Sequence, residues 1–360
     1  MKQHFGQKLL DWYDLNKRDL PWRDVRDPYR IWLSEIILQQ TRVEQGKAYY
    51  QRFLETFPDV MALAQAPARK VFKLWQGLGY YNRAANLMKT AGIIAKQYGG
   101  KFPETFDLLK KLPGIGDYTA AAIASFAFDQ PCPVTDGNVY RVLSRIFGIE
   151  TPVHSAAGKK EFTALARKLM ANHPPAQFNQ ALMEFGALNC TPQSPGCSTC
   201  IFNTQCYAAR SGKQKHFPVK KPKAPMGKRF FYFFVMQLEQ NGESYFYLRK
   251  RTGQDIWRNL YDFPALETGK SLADPLESLS NAGTNLFPET FPYTPGIPSA
   301  VYRQQLTHLK VSAVFIPVFL KIPLPDETKK NVSLVHINQL SHYPVPRLIA
   351  RYLQDQNIVK

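Results

Sequence analysis

The sequence predicts a multidomain chain in which an all-α domain is followed by a smaller α+β domain. Three observations lead to this fold class. Residues 1–207 carry apolar residues at helical spacing, residues 208–228 are basic and contain no acid, and residues 229–360 hold aromatic runs typical of strands. A chain of 360 residues is long enough for two domains with separate cores.

The first domain is predicted to consist of helices joined by short turns. The segment "NVYRVLSRIF" places Val139, Val142, Leu143 and Ile146 on one stripe, and "SAAGKKEFTALARKLMANH" repeats the same period. Turns that contain Pro or Gly, such as "YGGKFP", separate these segments.

A change of composition marks the boundary between the domains. From Arg210 to Arg229 the chain carries eight Lys or Arg, three Pro and no acid. We predict an extended interdomain linker over 208–228. A linker that lies along a phosphate backbone is the alternative.

The second domain, residues 229–360, is predicted to combine strands with a closing helix. Two aromatic-rich runs flank Asn241-Gly242, which is a strong hairpin signal. The segment "VSAVFIPVFLKI" is a further strand candidate, and "PVPRLIARYLQ" has the pattern of a helix.

The charge of the chain bears on its partner and its location. A net charge of +18 and an isoelectric point near 9.6 favour a polyanionic partner, most commonly nucleic acid, over a merely basic protein. The opening "MKQHFGQKLLDWYDL" has charges where a signal peptide needs an apolar run, and the most apolar stretches are too short to span a membrane. We expect a cytoplasmic protein, in the bacterial cytosol or nucleoid, with no membrane partner.

Four of the five cysteines form a cluster with the spacing Cys190-x6-Cys197-x2-Cys200-x5-Cys206. Zinc modules usually pair two short ligand loops, and only one C-x2-C is present here. In a cubane cluster each cysteine binds a different iron, which suits this compact run. We therefore favour one [4Fe–4S] cluster, then zinc, and disulfides last; Cys132 is expected to be a small buried residue.

The segment "LKKLPGIGDYTAAAIASFAF" is predicted to be a helix end, a glycine-containing turn and a second helix. The turn Pro113-Gly114-Ile115-Gly116 lets the backbone approach a ligand closely, and the unpaired N–H groups of the following helix suit a phosphate. A tight helical corner without a ligand is the alternative.

Two acidic residues form a candidate catalytic pair. Glu35 lies in the apolar segment "YRIWLSEIILQQTR", where desolvation would raise its pKa and keep it protonated as a general acid. Asp136 lies just before an amphipathic helix, as an N-cap that the helix N-terminus keeps ionised. One protonated and one ionised carboxyl group suit the cleavage of a glycosidic bond. An exposed Glu35 and a purely structural Asp136 are the alternatives.

These motifs resemble those of a known superfamily. The cysteine spacing resembles the iron–sulfur loop of the endonuclease III-like DNA glycosylases, and L-P-G-x-G-x-x-T-A resembles their helix–hairpin–helix. In the bifunctional lyases of this superfamily a lysine that forms a Schiff base with the sugar stands where this chain has Tyr118. The resemblance thus implies a monofunctional DNA N-glycosylase that uses water as the nucleophile.

The segments "DPYRIWLSEIILQQTRVEQ" and "WQGLGYYNRAANL" resemble the MutY-type adenine DNA glycosylases. This resemblance implies that Glu35 protonates adenine and that Asp136, Tyr118 and Asn138 complete the catalytic site. It implies that Gln40 and Tyr80 enter the base stack. The contacts to DNA or base that it implies are assigned to Arg23, Gln40, Leu78, Gly79, Tyr80, Pro113, Gly114, Ile115 and Gly116.

The second domain resembles the Nudix-like module of the same family. The segment after "DFPALETGKSL" lacks the R-E-x-x-E-E that holds magnesium in Nudix hydrolases, so the domain is expected to bind rather than to hydrolyse. A loop that is commonly F-S-H in the family reads 8-oxoguanine, and here it is Leu306-Thr307-His308. Thr307 keeps the hydroxyl group, whereas Leu306 replaces an aromatic ring.

The predicted function is therefore base excision repair by a monomeric adenine DNA glycosylase. Its partner is duplex DNA with an 8-oxoguanine·adenine or guanine·adenine mispair, from which it hydrolyses the adenine. A bifunctional endonuclease III-like glycosylase/lyase for oxidised pyrimidines is the main alternative. A non-catalytic DNA-binding protein and a Nudix-type nucleotide hydrolase are further ones.

Overall fold

The structure is a computed structural model that describes residues 4–220, 225–276, 291–325 and 332–359. The helices are α1 (Phe5–Asn16), α2 (Pro28–Leu38), α3 (Val43–Thr56), α4 (Val60–Gln65), α5 (Ala68–Trp75), α6 (Asn82–Tyr98), α7 (Phe106–Lys110), α8 (Asp117–Phe128), α9 (Gly137–Phe147), α10 (Ala156–Met170), α11 (Pro175–Leu188), α12 (Tyr207–Arg210) and α13 (Arg347–Asp355). No helix within the described residues is long and apolar enough to cross a membrane.

The chain forms two compact units. Unit 1 comprises Met1–Ala66 and Asn86–Lys223, and unit 2 comprises Pro67–Ala85 and Ala224–Lys360. Unit 2 thus includes a short stretch, Pro67–Ala85, that the sequence analysis placed with the helical domain. The predicted domain boundaries themselves stay a prediction.

Unit 1 is helical, and two pairs of helices in it carry the candidate catalytic residues. Helix α8 packs against α2 and is buried on most of its surface, where it carries the small side chains Ala120, Ala121, Ala122 and Ala124. Helix α9 packs against α11, where Gly186 leaves room for Asn138; a Cβ atom at Gly186 would lie 2.6 Å from the Asn138 Cβ. Helix α8 is thus held against α2, and the start of α9 is held against α11.

Residues 208–220 are not an extended linker, and this part of the prediction is wrong. After α12 the chain returns to unit 1, where Phe217 is buried in the same apolar core as Phe5 and Val142. The Val153 N–H donates to the Val219 carbonyl (3.2 Å). Phe217 and Val219 pack against this core, and the Gln214 carbonyl accepts from the buried Arg145 (2.9 Å), so a basic, proline-containing segment is held to unit 1. Residues 221–224 lie outside the described residues.

Unit 2 contains a mixed sheet with the strands β1 (Gly227–Gln240), β2 (Glu243–Lys250), β3 (Tyr261–Asp262), β4 (Ala265–Thr268), β5 (Tyr293–Pro295), β6 (Tyr302–Gln305), β7 (Leu309–Leu320) and β8 (Val332–His336). The order along the sheet is β3-β2-β1-β7-β5, and β4, β6 and β8 pair with β1, β7 and β2, respectively. Strands β1 and β7 run parallel, whereas β1 and β2 are antiparallel.

The long elements of unit 2 agree with the sequence analysis. Gln240 pairs with Glu243 across the turn, and Asn241 and Gly242 both have positive φ (55° and 78°), as a two-residue hairpin loop requires. The predicted later strand is β7, and the closing helix is α13, whose Tyr352 stacks on Phe315 of β7 with ring centroids 4.1 Å apart. The α+β character of this domain is confirmed.

Candidate active site, DNA-contact residues and cysteine cluster

A cavity of about 560 Å³ in unit 1 collects the candidate catalytic residues. Its lining includes six residues that the sequence analysis singled out: Glu35, Tyr118, Asp136, Asn138, Arg23 and Gln40. They come from α2 and the turn after it, from α8 and α9, and from the loop before α2. A partly apolar cavity with a few converging polar groups is the usual form of a small-molecule or base-binding site.

Glu35 lies on α2 and is only 7% exposed. Helix α2 is apolar on most of its surface and begins at Asp27, whose carboxylate accepts from the N–H groups of Tyr29 and Arg30. Burial raises the pKa of Glu35, a hydrogen bond from the Tyr118 hydroxyl opposes the rise, and the negative charge of Asp136 adds to it, so that the pKa is raised to about 7. Glu35 is therefore substantially protonated near neutral pH, as a general acid needs.

Asp136 is the N-cap of α9. Its Oδ1 accepts from the Val139 N–H (2.8 Å), and its Oδ2 accepts from the Asn138 side chain (2.7 Å). Burial raises the pKa of Asp136 above its ordinary range, and those hydrogen bonds and the charge of Arg141 oppose the rise. The N-cap role is confirmed. Burial, however, works against the ionised state that the helix N-terminus favours.

A chain of hydrogen bonds leads from Asp136 to the cysteine loop. The side-chain Oδ1 of Asn138 accepts from Arg141 Nη2 (2.8 Å), and Arg141 Nε donates to the backbone carbonyl of Cys190 (2.7 Å). Arg141 is 8% exposed, so these contacts hold its guanidinium in place. The buried Arg141 therefore links the Asp136 carboxylate, through Asn138, to the backbone of Cys190.

Arg23 lines the cavity, but its guanidinium is engaged within the protein. Nη2 donates to Glu184 (2.8 Å) and Nη1 to the Tyr13 hydroxyl (2.6 Å), while Arg18 forms two further bonds to the Glu184 carboxylate. Glu184 is 3% exposed, and these arginines lower its pKa in spite of its burial. Sequence reasoning missed Glu184, although it is a carboxylate in an apolar helical segment, the same signal that identified Glu35.

The two residues predicted to enter the base stack share an uncommon backbone conformation. Gln40 has a φ of 62° and Tyr80 a φ of 49°, both in the left-handed region that a residue with a side chain seldom adopts. Gln40 ends the turn after α2 at the cavity, and Tyr80 is 51% exposed. Strain of this kind is common at functional positions.

The other residues of unit 2 that are predicted to contact DNA lie close to Tyr80. The hydroxyl groups of Tyr80 and Thr307 are 2.6 Å apart, so the structure brings together two residues that are 227 positions apart in sequence. Leu78 is buried, and the Gly79 carbonyl accepts from the Trp75 indole (3.0 Å). His308 is exposed beside Thr307.

The predicted helical hairpin is present as α7, a turn and α8. Gly114 has a φ of +77°, and a Cβ atom there would lie 2.6 Å from the Asn86 Cβ, so the turn requires glycine. Pro113 is held by its carbonyl, which accepts from the Thr90 hydroxyl (2.8 Å), and Ile115 is buried. Gly116 caps α8 with open space in front of it. These residues do not line the cavity, and their phosphate contact stays a prediction.

The four clustered cysteines surround one small cavity. Cys190 and Cys206 are buried, and the Phe202 N–H and Arg145 Nη1 point at the sulfur atoms of Cys200 (3.4 Å) and Cys190 (3.5 Å). None of the four forms a disulfide within the described residues. Over the described residues no group of three or more Cys, His, Asp or Glu is arranged to hold one metal ion.

Comparison with known proteins identifies the family to which the helical domain is similar. Residues 33–171 match the HhH-GPD superfamily base excision DNA repair protein family. The adenine DNA glycosylase of Buchnera aphidicola subsp. Schizaphis graminum (strain Sg) is 37% identical over 265 residues, which cover 73% of this chain and 75% of that protein. Two solved structures share the fold of the helical domain.

A thermostable thymine-DNA glycosylase has 30% identity and a TM-score of 0.55, and the match covers 58% of this chain and 97% of that chain. Endonuclease III in a non-covalent DNA complex has 22% identity and a TM-score of 0.52 over 60% of this chain and 99% of its own.

The fold and the buried carboxylates thus define a helix–hairpin–helix DNA N-glycosylase, an enzyme of base excision repair whose substrate is DNA. Within this class the chain belongs to the adenine DNA glycosylase family, the MutY-type enzymes. The family and the endonuclease III-like fold of the first domain, both predicted from the sequence, are confirmed.

Proposed function

We propose that this enzyme hydrolyses the N-glycosidic bond of adenine mispaired with 8-oxoguanine or guanine in duplex DNA. The observation that carries the proposal is Glu35, a buried carboxyl group with a pKa of about 7, in the same cavity as Asp136. The choice of adenine is supported by the relatives, which are named adenine DNA glycosylases.

The adenine must leave the duplex before it reaches the cavity, because a stacked base is inaccessible to side chains. Gln40 at the cavity and the exposed Tyr80 are the candidates that fill the vacated space. Their left-handed backbone angles set the direction in which each side chain leaves the backbone.

Glu35 gives its proton to N7 of adenine, and the electron pair of the glycosidic bond moves to the departing base. The sugar becomes an oxocarbenium-like cation, which the Asp136 carboxylate stabilises. Water then adds to the anomeric carbon and gives up a proton to the Glu35 carboxylate, which leaves an abasic site and restores the acid. The Tyr118 hydroxyl donates to Glu35 and so stabilises the carboxylate that remains after proton transfer. Asn138 holds Asp136 through its 2.7 Å hydrogen bond.

Cys190, Cys197, Cys200 and Cys206 are proposed to hold one [4Fe–4S] cluster. In a cubane each thiolate binds its own iron, so the sulfur atoms stand farther apart than around a single zinc ion, where each bond is about 2.3 Å. Four cysteines around one cavity without a single-ion arrangement fit the larger group better. The cluster would order the loop that carries the four cysteines, since hydrolysis of the N-glycosidic bond requires no electron transfer.

Recognition of 8-oxoguanine is assigned to unit 2. The Thr307 hydroxyl is exposed and 2.6 Å from the Tyr80 hydroxyl, so one of the two donates to the other and the acceptor keeps its own proton for a purine. His308 lies beside this pair and adds a polar group. The same residues would distinguish an 8-oxoguanine·adenine pair from guanine·adenine.

The test is a single-turnover assay on labelled duplexes that contain one 8-oxoguanine·adenine or one guanine·adenine pair, with and without alkali. We expect a break at the adenine only after alkali, and faster release opposite 8-oxoguanine. A break without alkali would instead support the bifunctional lyase alternative. Bound duplex that stays intact in both samples would overturn the proposed activity.

A further inference from the structure

Residues 129–136, which lead to Asp136 at the cavity, form neither a helix nor a strand. Helix α8 ends at Phe128, Asp129 adopts a left-handed conformation, and the chain then runs without a helix or strand to the start of α9 at Gly137. Segments of this kind are positioned by side-chain hydrogen bonds and packing, since they lack a backbone ladder. The location of Asp136 therefore depends on what holds residues 129–136.

Asn179 on α11 holds that segment from beneath. Its side chain is fully buried (0% exposed), its Oδ1 accepts from the Val134 N–H (3.0 Å), and its Nδ2 donates to the Cys132 carbonyl (2.8 Å). Two backbone groups within four residues of Asp136 thus bind one buried amide. A buried amide that makes this many bonds is rigid, because each bond lost would leave a polar group unpaired.

The same amide also reaches the helix that carries Tyr118. Nδ2 of Asn179 donates to the Ser125 hydroxyl (2.8 Å), and Ser125 is fully buried on α8. The residue after Asn179 on α11 is Gln180, which lines the cavity and accepts from the Tyr13 hydroxyl (2.9 Å). Asn179 therefore joins α8, α11 and the approach to α9 at a single point.

We propose that Asn179 is a positioning residue that sets the Asp136 carboxylate relative to Tyr118 and Glu35 in the cavity. The proposal rests on the proposed function, in which Asp136 stabilises the cationic sugar. Asn179 itself touches no reacting atom. It acts through the backbone of Cys132 and Val134, and a shift of the carboxylate by about 1 Å is enough to slow a reaction by about a hundredfold.

The first test is Asn179→Ala in the full chain, compared with Gln177→Ala. Gln177 lies on the same helix, but its contact is an exposed one to Asp14 (3.1 Å). We expect single-turnover adenine release to slow by about tenfold to a hundredfold in Asn179→Ala, while the Kd for a duplex with a non-hydrolysable adenine analogue changes less than about threefold. Gln177→Ala should match the wild type in both measurements.

A pH profile distinguishes positioning from a general loss of structure. The titratable or charged groups that face Asp136 are Glu35 on α2, Tyr118 on α8 and Arg141 on α9. A displaced Asp136 is held less well by the Val139 N–H and the Asn138 amide, the donors that lower its pKa, so the rising limb of the rate profile should move to higher pH in Asn179→Ala. The falling limb, set by Glu35 near pH 7, should move less, because burial contributes more to the raised pKa of Glu35 than the charge of Asp136 does.

If Asn179→Ala does not fold, Ser125→Ala removes only the bond to α8 and should slow release by about threefold, with a smaller displacement of the rising limb in the same direction. An unchanged rate and profile in a folded variant would overturn the positioning role while the wild type stays active. A wild type that releases no adenine would overturn the proposed function, and this proposal with it.

Discussion

The raised pKa of Glu35 provides a proton for catalysis near neutral pH, and it lowers the stability of the folded protein at higher pH. Its folded-state pKa of about 7 lies above the ordinary value of 4.5 because the side chain is buried beside Asp136. A raised carboxyl pKa means that the folded state binds the proton more tightly than the unfolded chain. Its favourable contribution is therefore complete below pH 4.5 and is lost as the pH rises through 7.

Glu35→Gln should reduce adenine release by about a hundredfold to ten-thousandfold, because glutamine has no proton to give. DNA affinity should stay within a few-fold of the wild type. Rates of single turnover and binding isotherms measure the two effects. Glu44→Gln, at a carboxylate on α3 whose side chain is 85% exposed, is the matched control and should release adenine at the wild-type rate. Equal turnover by Glu35→Gln would remove Glu35 from the mechanism.

The pH dependence follows from the same group. Wild-type release should fall as the pH rises through about 7, since the acid form of Glu35 is lost. Above that pH the buried carboxylate destabilises the wild type, so Glu35→Gln should be more stable by up to about 3 kcal/mol, at 1.4 kcal/mol per pKa unit. Thermal unfolding at pH 5 and pH 8 measures this difference. A stability gap between the two proteins that does not change with pH would contradict it.

At the scale of elements, α9 connects the candidate active site with the cysteine cluster. It begins at Asp136 and carries Arg141 and Arg145 toward the cysteines. Arg145 is 2% exposed and donates to four backbone carbonyls and to the Cys190 sulfur atom. Within the described part of the chain these acceptors are carbonyl oxygens and a sulfur atom, and none is a carboxylate. A buried cation of this kind needs negative charge nearby, which four thiolates on a metal cluster would supply.

Arg145→Met should therefore weaken retention of the cluster, because it removes both the charge and the bonds that hold the cysteine loop. We expect the purified wild type to contain about four irons per chain with matching labile sulfide, and Arg145→Met to contain less than half as much. Arg210→Met, on the exposed side of α12, is the control and should keep the wild-type content. Full iron content in a folded Arg145→Met would contradict the role of Arg145. A native protein loaded with zinc would contradict the cluster itself.

At the scale of the whole molecule, the net charge of +18 governs how the enzyme meets DNA. Much of the charge is carried by exposed lysines and arginines, such as Lys8, Lys168 and Arg258. Positive side chains near phosphates release counterions, so binding is strong, rapid and largely independent of sequence. Base and lesion contacts add selectivity to this non-specific attraction.

Non-specific DNA binding should weaken steeply with salt. If the protein neutralises four phosphates, the affinity for an undamaged duplex falls by about a hundredfold between 50 and 200 mM salt. Equilibrium titrations at several salt concentrations measure the slope. The rate of base release from the bound complex should be far less sensitive, since the chemistry occurs in a cavity. A flat salt dependence of binding would show that charge does not drive the encounter.

The sequence by itself determined the family, the fold class, the long elements and the identity of the candidate catalytic carboxylates. These features depend on local signals: the spacing of apolar residues, an N-cap before α9, a hairpin that requires glycine, and four closely spaced cysteines. Each can be recognised in the sequence because the residues that form it lie close together along the chain.

Only the tertiary structure decided which side chains meet across the chain. Glu184 binds Arg18 from 166 positions away, and Asn179 holds Val134 from 45 positions away. The pKa of Glu35 depends on burial and on Asp136, and the packing of Phe217 turned a predicted linker into part of unit 1. Such contacts depend on how whole helices pack, and the energy of a buried polar group is fixed by its partners and by its distance from water.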